Sequence, residues 1–405
     1  VKSMIRIVWI FGLFMLGSCL AITPGSITDD SPDFIPATDI THDAQIFKTY
    51  GGDQQDRGIN LIQTQDGGFA IVGYSSSFGN AGEDVYLVRT DPNGKELWSK
   101  TYGGDSKDNG WDLIETDDGG LLIAGFTNSF GAGKMDFYLL LTDSKGNLVW
   151  ERTYGGPEDD FAWALSRSSD GGYILGGQTE SYGEGDKDGY LVKVNSLGEE
   201  IWSQTYGGPE EDRLYSIDNG LDGGFVLTGT TTSFGAANRN AYIIKTDESG
   251  DLVWMNVFGE DQDDVGHSIR RSGDGGYLMT GYTQSYGAAN YDSWIMKLNE
   301  SGDFIWQQIY GGPQDDRTIS GEQTSDGGFI LTGYTRSFGS IGWDIFLVRS
   351  DMSGEVLWHK TFGGNKDDTG YTVKPTNDNA FILTGETYSI GEGNGDMFLI
   401  MVDDN

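Results

Sequence analysis

The chain has 405 residues, 62 acidic against 26 basic, and its net charge of −36 excludes nucleic acid as a partner because phosphates would be repelled. Its 63 glycines and 8 prolines fall below the share that marks disorder, and 13% aromatic residues are ample for a core. A single cysteine excludes disulfides within the chain.

In chain order, Lys2 and Arg6 precede an apolar run from Ile7 to Ser18. That run is too short to span a bilayer and suits the core of a signal peptide, so residues 1–18 are read as a signal segment. Cys19 follows directly. Residues 20–41 hold three prolines and no apolar periodicity, the composition of an extended, flexible tether.

From residue 42 onward the chain repeats itself. An Asp recurs at Asp66, Asp118, Asp170, Asp222, Asp274, Asp326 and Asp378, always 52 residues apart. A Trp keeps the same period from Trp98 to Trp358, and a Gly keeps it from Gly73 to Gly385. Seven such units fill 42–405 without an insertion, and a period of this size means a solenoid, a propeller or an array.

The second unit shows what one repeat forms. Residues 108–117 alternate large apolar with small or polar side chains, which predicts a strand. Asp118-Gly119 predicts a two-residue hairpin turn, since both residues tolerate positive φ. Residues 121–129 form the second strand, with Gly125 marking a close backbone approach. Residues 136–143 form the third strand, 143–146 an Asp-x-x-Gly turn, and 147–155 the fourth strand. No segment has a helical apolar period. The prediction is all-β: a seven-bladed β-propeller of seven four-stranded repeats.

The ends complement each other. The last unit stops after its third strand at residues 396–405, while residues 45–52 form a fourth strand with no first three before it. Residues 44–50 are therefore predicted to complete the last blade and close the ring, removing exposed edges. The six Trp are read as packing between blades.

Two resemblances add to this reading. The sequence Leu16-Gly17-Ser18-Cys19 resembles the lipobox of prokaryotic lipoproteins, which implies cleavage before Cys19 and its lipidation. The repeat resembles kelch-type propeller units in its second-strand Gly, third-strand aromatic and fourth-strand Trp, although only Gly176-Gly177 shows the kelch glycine pair. The phrases TGxTxSFG and W…TYGG look more like the propeller repeats of secreted bacterial and archaeal proteins. Such propellers usually bind at the face that carries the fourth-to-first and second-to-third loops.

On that face Asp recurs at Asp56, Asp108, Asp160, Asp212, Asp264, Asp316 and Asp368. A second set comprises Asp84, Asp136, Asp188, Asp292, Asp344 and Asp396, with Asn240 in the remaining slot. Carboxylates at this density suit either Ca²⁺ or the capping of loop N–H groups, and recurrence in every blade favours capping. Enzyme signatures are absent: the three histidines lie far apart, and His267 reads as a core-strand residue. Arg57, Arg213 and Arg317 are scattered, each just after a recurring Asp. What differs between copies is the tip of each second-to-third loop. There Met135, Arg239, Tyr291 and Trp343 are expected as exposed large groups of the kind found at interface hot spots.

These observations give a monomeric, lipid-anchored cell-envelope propeller with no cofactor, acting as a non-catalytic module for a protein or glycan partner. Met135, Arg239, Tyr291 and Trp343 are its candidate contacts. A polysaccharide hydrolase or lyase is the second reading and a calcium-stabilised surface element the third. An uneven set of channel acids beside one or two arginines would favour the hydrolase.

Overall fold

Each 52-residue unit folds into one four-stranded antiparallel sheet. In the second unit the strands run Asp108–Glu115, Leu121–Thr127, Asp136–Thr142 and Leu148–Tyr154. The computed structural model describes residues 44–287 and 290–404, and within them 28 strands form seven such sheets. The fold is the β-propeller of seven blades. The signal segment, Cys19 and the tether lie outside the described residues.

The middle strands of each blade are buried along all or nearly all of their length, as in Leu121–Thr127 and Asp188–Val194. Blades stack face to face, so these strands read as unbroken apolar runs rather than alternating ones. The core is accordingly divided into seven layers between neighbouring blades. In one of them Leu122, Phe137 and Leu139 pack against Ala162, Leu175 and Tyr190 of the next blade.

The six fourth-strand Trp pack each against the next blade, as the sequence implied, and a Tyr at the end of most fourth strands adds a hydrogen bond. Trp98 lies against Gly146 in the next blade's turn, and Tyr102 donates a 2.7 Å hydrogen bond to the Gly146 carbonyl. Residues 44–50 behave as expected too. Strand β1 (Ile46–Tyr50) pairs antiparallel with the last strand, β28 (Asp396–Asp403), from Ile46 opposite Met401 to Tyr50 opposite Met397.

The hairpin differs in detail from the expected two-residue turn. Thr116 N–H donates to the Gly120 carbonyl and Gly119 N–H to the Thr116 carbonyl, leaving a three-residue connection of 117–119. Only Gly119 takes positive φ (79°), while Asp118 accepts from the Thr116 hydroxyl and the Gly120 N–H. The seventh copy replaces this Gly with Asn379, the single non-glycine at positive φ among the described residues.

The first strand of every blade lines the central channel, and it carries the feature that shapes the site. Each has a β-bulge, as between Gly110 and Asp112, where Trp111 is the extra residue. Opposite the bulge stands the recurring second-strand Gly. A Cβ on Gly125 would lie 1.8 Å from the Asn109 carbonyl oxygen, so no other residue fits.

Candidate functional site

The loop face begins with the two Asp sets. Asp56 is fully buried; it accepts from Ser75 Oγ, from Ser77 Oγ at 2.6 Å and from Gly52 N–H at 2.7 Å. Its sisters Asp108 and Asp316 make the same contacts. The second set closes the next loop: Asp84 accepts from Asn80 N–H at 2.6 Å. These carboxylates are turn anchors, and no group of three or more His, Cys, Asp or Glu among the described residues could hold a metal ion. Asn240 differs from the expected acceptor: its amide donates to the Ala236 and Asn238 carbonyls.

Burial pushes several of the second set upward, most for Asp344, where Asp368 adds repulsion, and Asp396, where Asp56 does; both reach about 6. Folded chains hold these protons more tightly than unfolded ones, so the two acids favour folding at low pH and lose that contribution as pH rises from about 4 to 6. The hairpin acids Asp170, Asp274 and Asp326 are held at about 2 and act oppositely, losing their contribution as pH falls below about 4. The melting temperature is thus expected to peak between about pH 4 and 5.5 and to decline toward pH 7. Asp344→Asn, copying Asn240, should remove part of that decline, roughly 3 kcal/mol at pH 7 as an upper bound. A pH series of thermal melts checks both; a decline unchanged in the variant contradicts the assignment.

The tip residues are less exposed than the sequence suggested. Met135, Arg239, Tyr291 and Trp343 are all half-buried. The reason is that each tip is pinned to the next blade. Trp343 N–H donates to Asp367 Oδ1 at 2.9 Å, and its carbonyl accepts from Asp368 N–H. Met135, Arg239 and Tyr291 are held in the same way. The structure brings three of the four together. The Arg239 guanidinium pairs with Asp263 at 2.6 Å, and the Tyr291 hydroxyl donates to the same carboxylate at 3.0 Å. Tyr291 and Trp343 both lie against Arg317. Met135 stands apart in the second blade.

Inside the ring of tips lies the central channel, with a cavity of about 590 Å³. Its neck is formed by the bulged residues Ile59, Trp111, Trp163, Tyr215, His267, Ile319 and Tyr371. His267 is thus a channel-wall residue rather than a core one, and burial lowers its pKa to about 4, so the ring is neutral at pH 7. The neck is lopsided. Trp111, Trp163, Tyr215 and His267 form a continuous arc over four blades, with centroid separations of 6.4, 5.2 and 5.1 Å. Phe126 and Phe161 extend the arc toward the loop face, Phe161 stacking on Trp163. Across the channel Ile319 and Ile59 flank a single ring, Tyr371.

Toward the hairpin end the channel is charged and equally uneven. Asp112, Asp218, Arg270 and Lys374 line it, and Glu322 bridges the last two, at 2.8 Å from Arg270 Nε. Burial opposes ionisation of Glu322, yet Lys374 and Arg270 hold it at about 2. Asp112 joins three blades, accepting from Asn60 Nδ2, Leu113 N–H and Leu165 N–H. Asp218 accepts from Arg271 N–H and Asn219 N–H. Every one of these carboxylates is engaged.

The arginines scattered in sequence, Arg57, Arg213 and Arg317, hold equivalent slots on the loop side of the first, fourth and sixth blades. Five of the chain's twelve, Arg57, Arg213, Arg239, Arg317 and Arg336, lie on the loop side. Three have acid partners: Arg57 with Glu386, Arg213 with Glu211 and Arg239 with Asp263. A second cavity of about 530 Å³ opens beside the channel between the sixth and seventh blades, lined by Arg57, Trp343, Tyr371 and Glu386 among others. Four buried polar atoms at neck and mouth find no partner: Trp111 Nε1, Asn109 Oδ1, Gln178 Oε1 and Arg317 Nε. The channel arc was missed in sequence. The signal was a repeat slot that varies between Ile, Trp, Tyr and His while the core slots around it stay alike.

No protein-family model matches the chain. Over 330 residues, 74% of the chain, it is 23% identical to the regulatory protein FlaEY of Caulobacter vibrioides, and the match spans 32% of that protein's length. Among solved structures, the WD40 domain of Neurospora crassa Pan2 is 9% identical with a TM-score of 0.55, the match covering 90% of this chain and 97% of that one. A puromycin hydrolase is 11% identical with a TM-score of 0.52, covering 85% and 53% respectively. At these identities the likeness shows the fold alone, which is compatible with a protein-binding module.

Proposed function

We propose that the chain is a non-catalytic binding module that takes the end of a glycan into the loop-side half of its channel, and that Cys19 anchors it by lipid at the cell envelope. The observation that carries this is the arc of Trp111, Trp163, Tyr215 and His267 on one wall of the cavity. Rings that line a channel offer apolar surface to a sugar's C–H groups, while Trp111 Nε1 is a donor without a protein partner. A cavity of about 590 Å³ is of the size that takes a small ligand or the end of a chain.

Soluble residues 44–405 should bind members of an oligosaccharide panel by calorimetry. Trp163→Ala should weaken that binding roughly tenfold, about 1.4 kcal/mol, without unfolding the chain. Unaltered binding by the folded variant would remove the channel from the account.

The second reading, a polysaccharide hydrolase or lyase, draws on the uneven acids and bases at the channel's hairpin end. It is disfavoured because Glu322 at about 2 cannot donate a proton near neutral pH, and because Asp112, although burial raises its pKa, accepts from three donors. Release of new reducing ends by the parent, abolished in Asp112→Asn, would reverse the order of the two readings.

A further inference from the structure

We infer that Arg317 is a preformed receptor for a single carboxylate on the ligand, so that the glycan end taken up is a uronate; this rests on the glycan reading above. The argument begins with the repeat. Arg57 and Arg317 occupy the same slot in the first and sixth blades. The preceding blade gives Arg57 the carboxylate of Glu386, at 2.7 Å from Nε. In the corresponding position Arg317 meets Tyr282, whose ring centroid is 5.1 Å from its guanidinium carbon.

Two more rings complete the enclosure, Tyr291 at 4.4 Å and Trp343 at 5.6 Å. These rings are themselves braced: Tyr282 packs edge-on to Tyr291, and Tyr334 edge-on to Trp343. Aromatic faces hold a guanidinium in place and favour its charge, but they accept little from its N–H edge. Among the described residues Arg317 has no acidic partner, and its Nε is buried without a hydrogen bond. A guanidinium fixed in this way lacks the acceptor its planar fork is shaped for, and a carboxylate supplies it in two-pronged form.

The surroundings say which carboxylate. Tyr282 and Tyr334 also line the channel cavity, and Trp343 lines the neighbouring one, so a group reaching Arg317 lies beside rings suited to a sugar. Arg336 also lies over the Trp343 ring, at 4.3 Å, and adds positive charge. The chain's net charge of −36 argues against a polyanion, which would be repelled at range, and for one local negative group.

The test uses residues 44–405 and trisaccharides ended by glucuronate, galacturonate or mannuronate, each beside its carboxyl-reduced neutral counterpart. At least one acidic form is expected to bind roughly tenfold or more above its neutral counterpart. Arg317→Gln should erase that preference while leaving neutral binding and its loss in Trp163→Ala intact. Arg317→Lys, which keeps charge but not the fork, should retain only part of it. Equal binding of acidic and neutral sugars, or a preference untouched in folded Arg317→Gln, overturns this inference and leaves the glycan reading standing. Binding of none of the sugars overturns both. Preference for an acidic peptide of equal charge over every uronide also overturns it and makes the partner a protein.

Discussion

A chain beginning at Gly51 instead of Ala44 is expected to lose about 5 kcal/mol of stability and to self-associate. The removed segment does three things at once. Strand β1 supplies the fourth strand of the last blade along a five-pair ladder with β28. Tyr50 is buried and Ile46 and Phe47 partly so, in the layers joining the seventh blade to the first and sixth. The Tyr50 hydroxyl also reaches the Gly94 carbonyl in the first blade at 2.7 Å, the same fastening that Tyr102, Tyr154, Tyr206 and Tyr310 make between four other pairs of blades. Together the segment and its partners remove roughly 600 Å² of apolar surface from water, about 15 kcal/mol as an upper bound. Ordering seven residues costs about 10 kcal/mol against it.

The deletion also exposes the full edge of β28, which is otherwise buried. An unpaired, apolar edge of that length is a template for a second chain, so a sedimentation or light-scattering shift should accompany the lower melting temperature. Tyr50→Phe, which removes only the hydrogen bond to Gly94, should cost about 1 kcal/mol and leave the chain monomeric. An unchanged melt for the deletion would show that the ring does not depend on its closing strand.

The blades were legible because their cause is periodic. The recurring Trp, the second-strand Gly and the hairpin Asp each solve one local problem, and the same problem returns every 52 residues. The closing strand was legible for the same reason, since Ile46-Phe47-Lys48-Thr49-Tyr50 continues a pattern whose first three members are missing. The channel was not. Strand alternation assigns inner-strand side chains to one sheet face or the other, and a bulge at Trp111, Trp163, Tyr215 and His267 breaks that rule at the one place where side chains meet the axis. The loop tips were read as exposed because loops usually are. Here each is hydrogen-bonded to the next blade, and three of the named residues turn inward toward Arg317 and Asp263 instead of outward. Equal loop lengths also suggested an even molecule; the unevenness lies in side chains at symmetric backbone positions.

The Asp of the repeated hairpin phrase leads to the other large expected effect, through a partner invisible in the local sequence. In five blades the third strand buries a cation beneath this turn: Arg89, Lys193, Lys245, Lys297 and Arg349, each paired with the hairpin Asp of its own blade. Lys245 Nζ lies 2.7 Å from Asp222 Oδ1 and also donates to the Thr246 carbonyl, with its side chain only 5% exposed. In the second and seventh blades the same slot holds Leu141 and Met401, and there the hairpin Asp accepts from the Thr116 hydroxyl and Gly120 N–H or from the Thr376 hydroxyl. The fold therefore tolerates an apolar side chain there, but an unpaired buried ammonium is a different matter.

Asp222→Asn should cost about 2 kcal/mol, the lower part of the range for breaking a buried pair because Asp222 is itself 57% exposed and water reaches it. Lys245→Met, which copies Met401, should be neutral or slightly stabilising, since desolvating the ion offsets much of what the pair contributes. The double variant should resemble Lys245→Met, giving a coupling of about 1–2 kcal/mol between the two sites. Denaturant midpoints of the four chains measure this directly. If the two substitutions simply add, the buried cation does not depend on its hairpin partner, and the recurrence of Asp at these turns rests on the Thr hydroxyl and Gly N–H contacts instead.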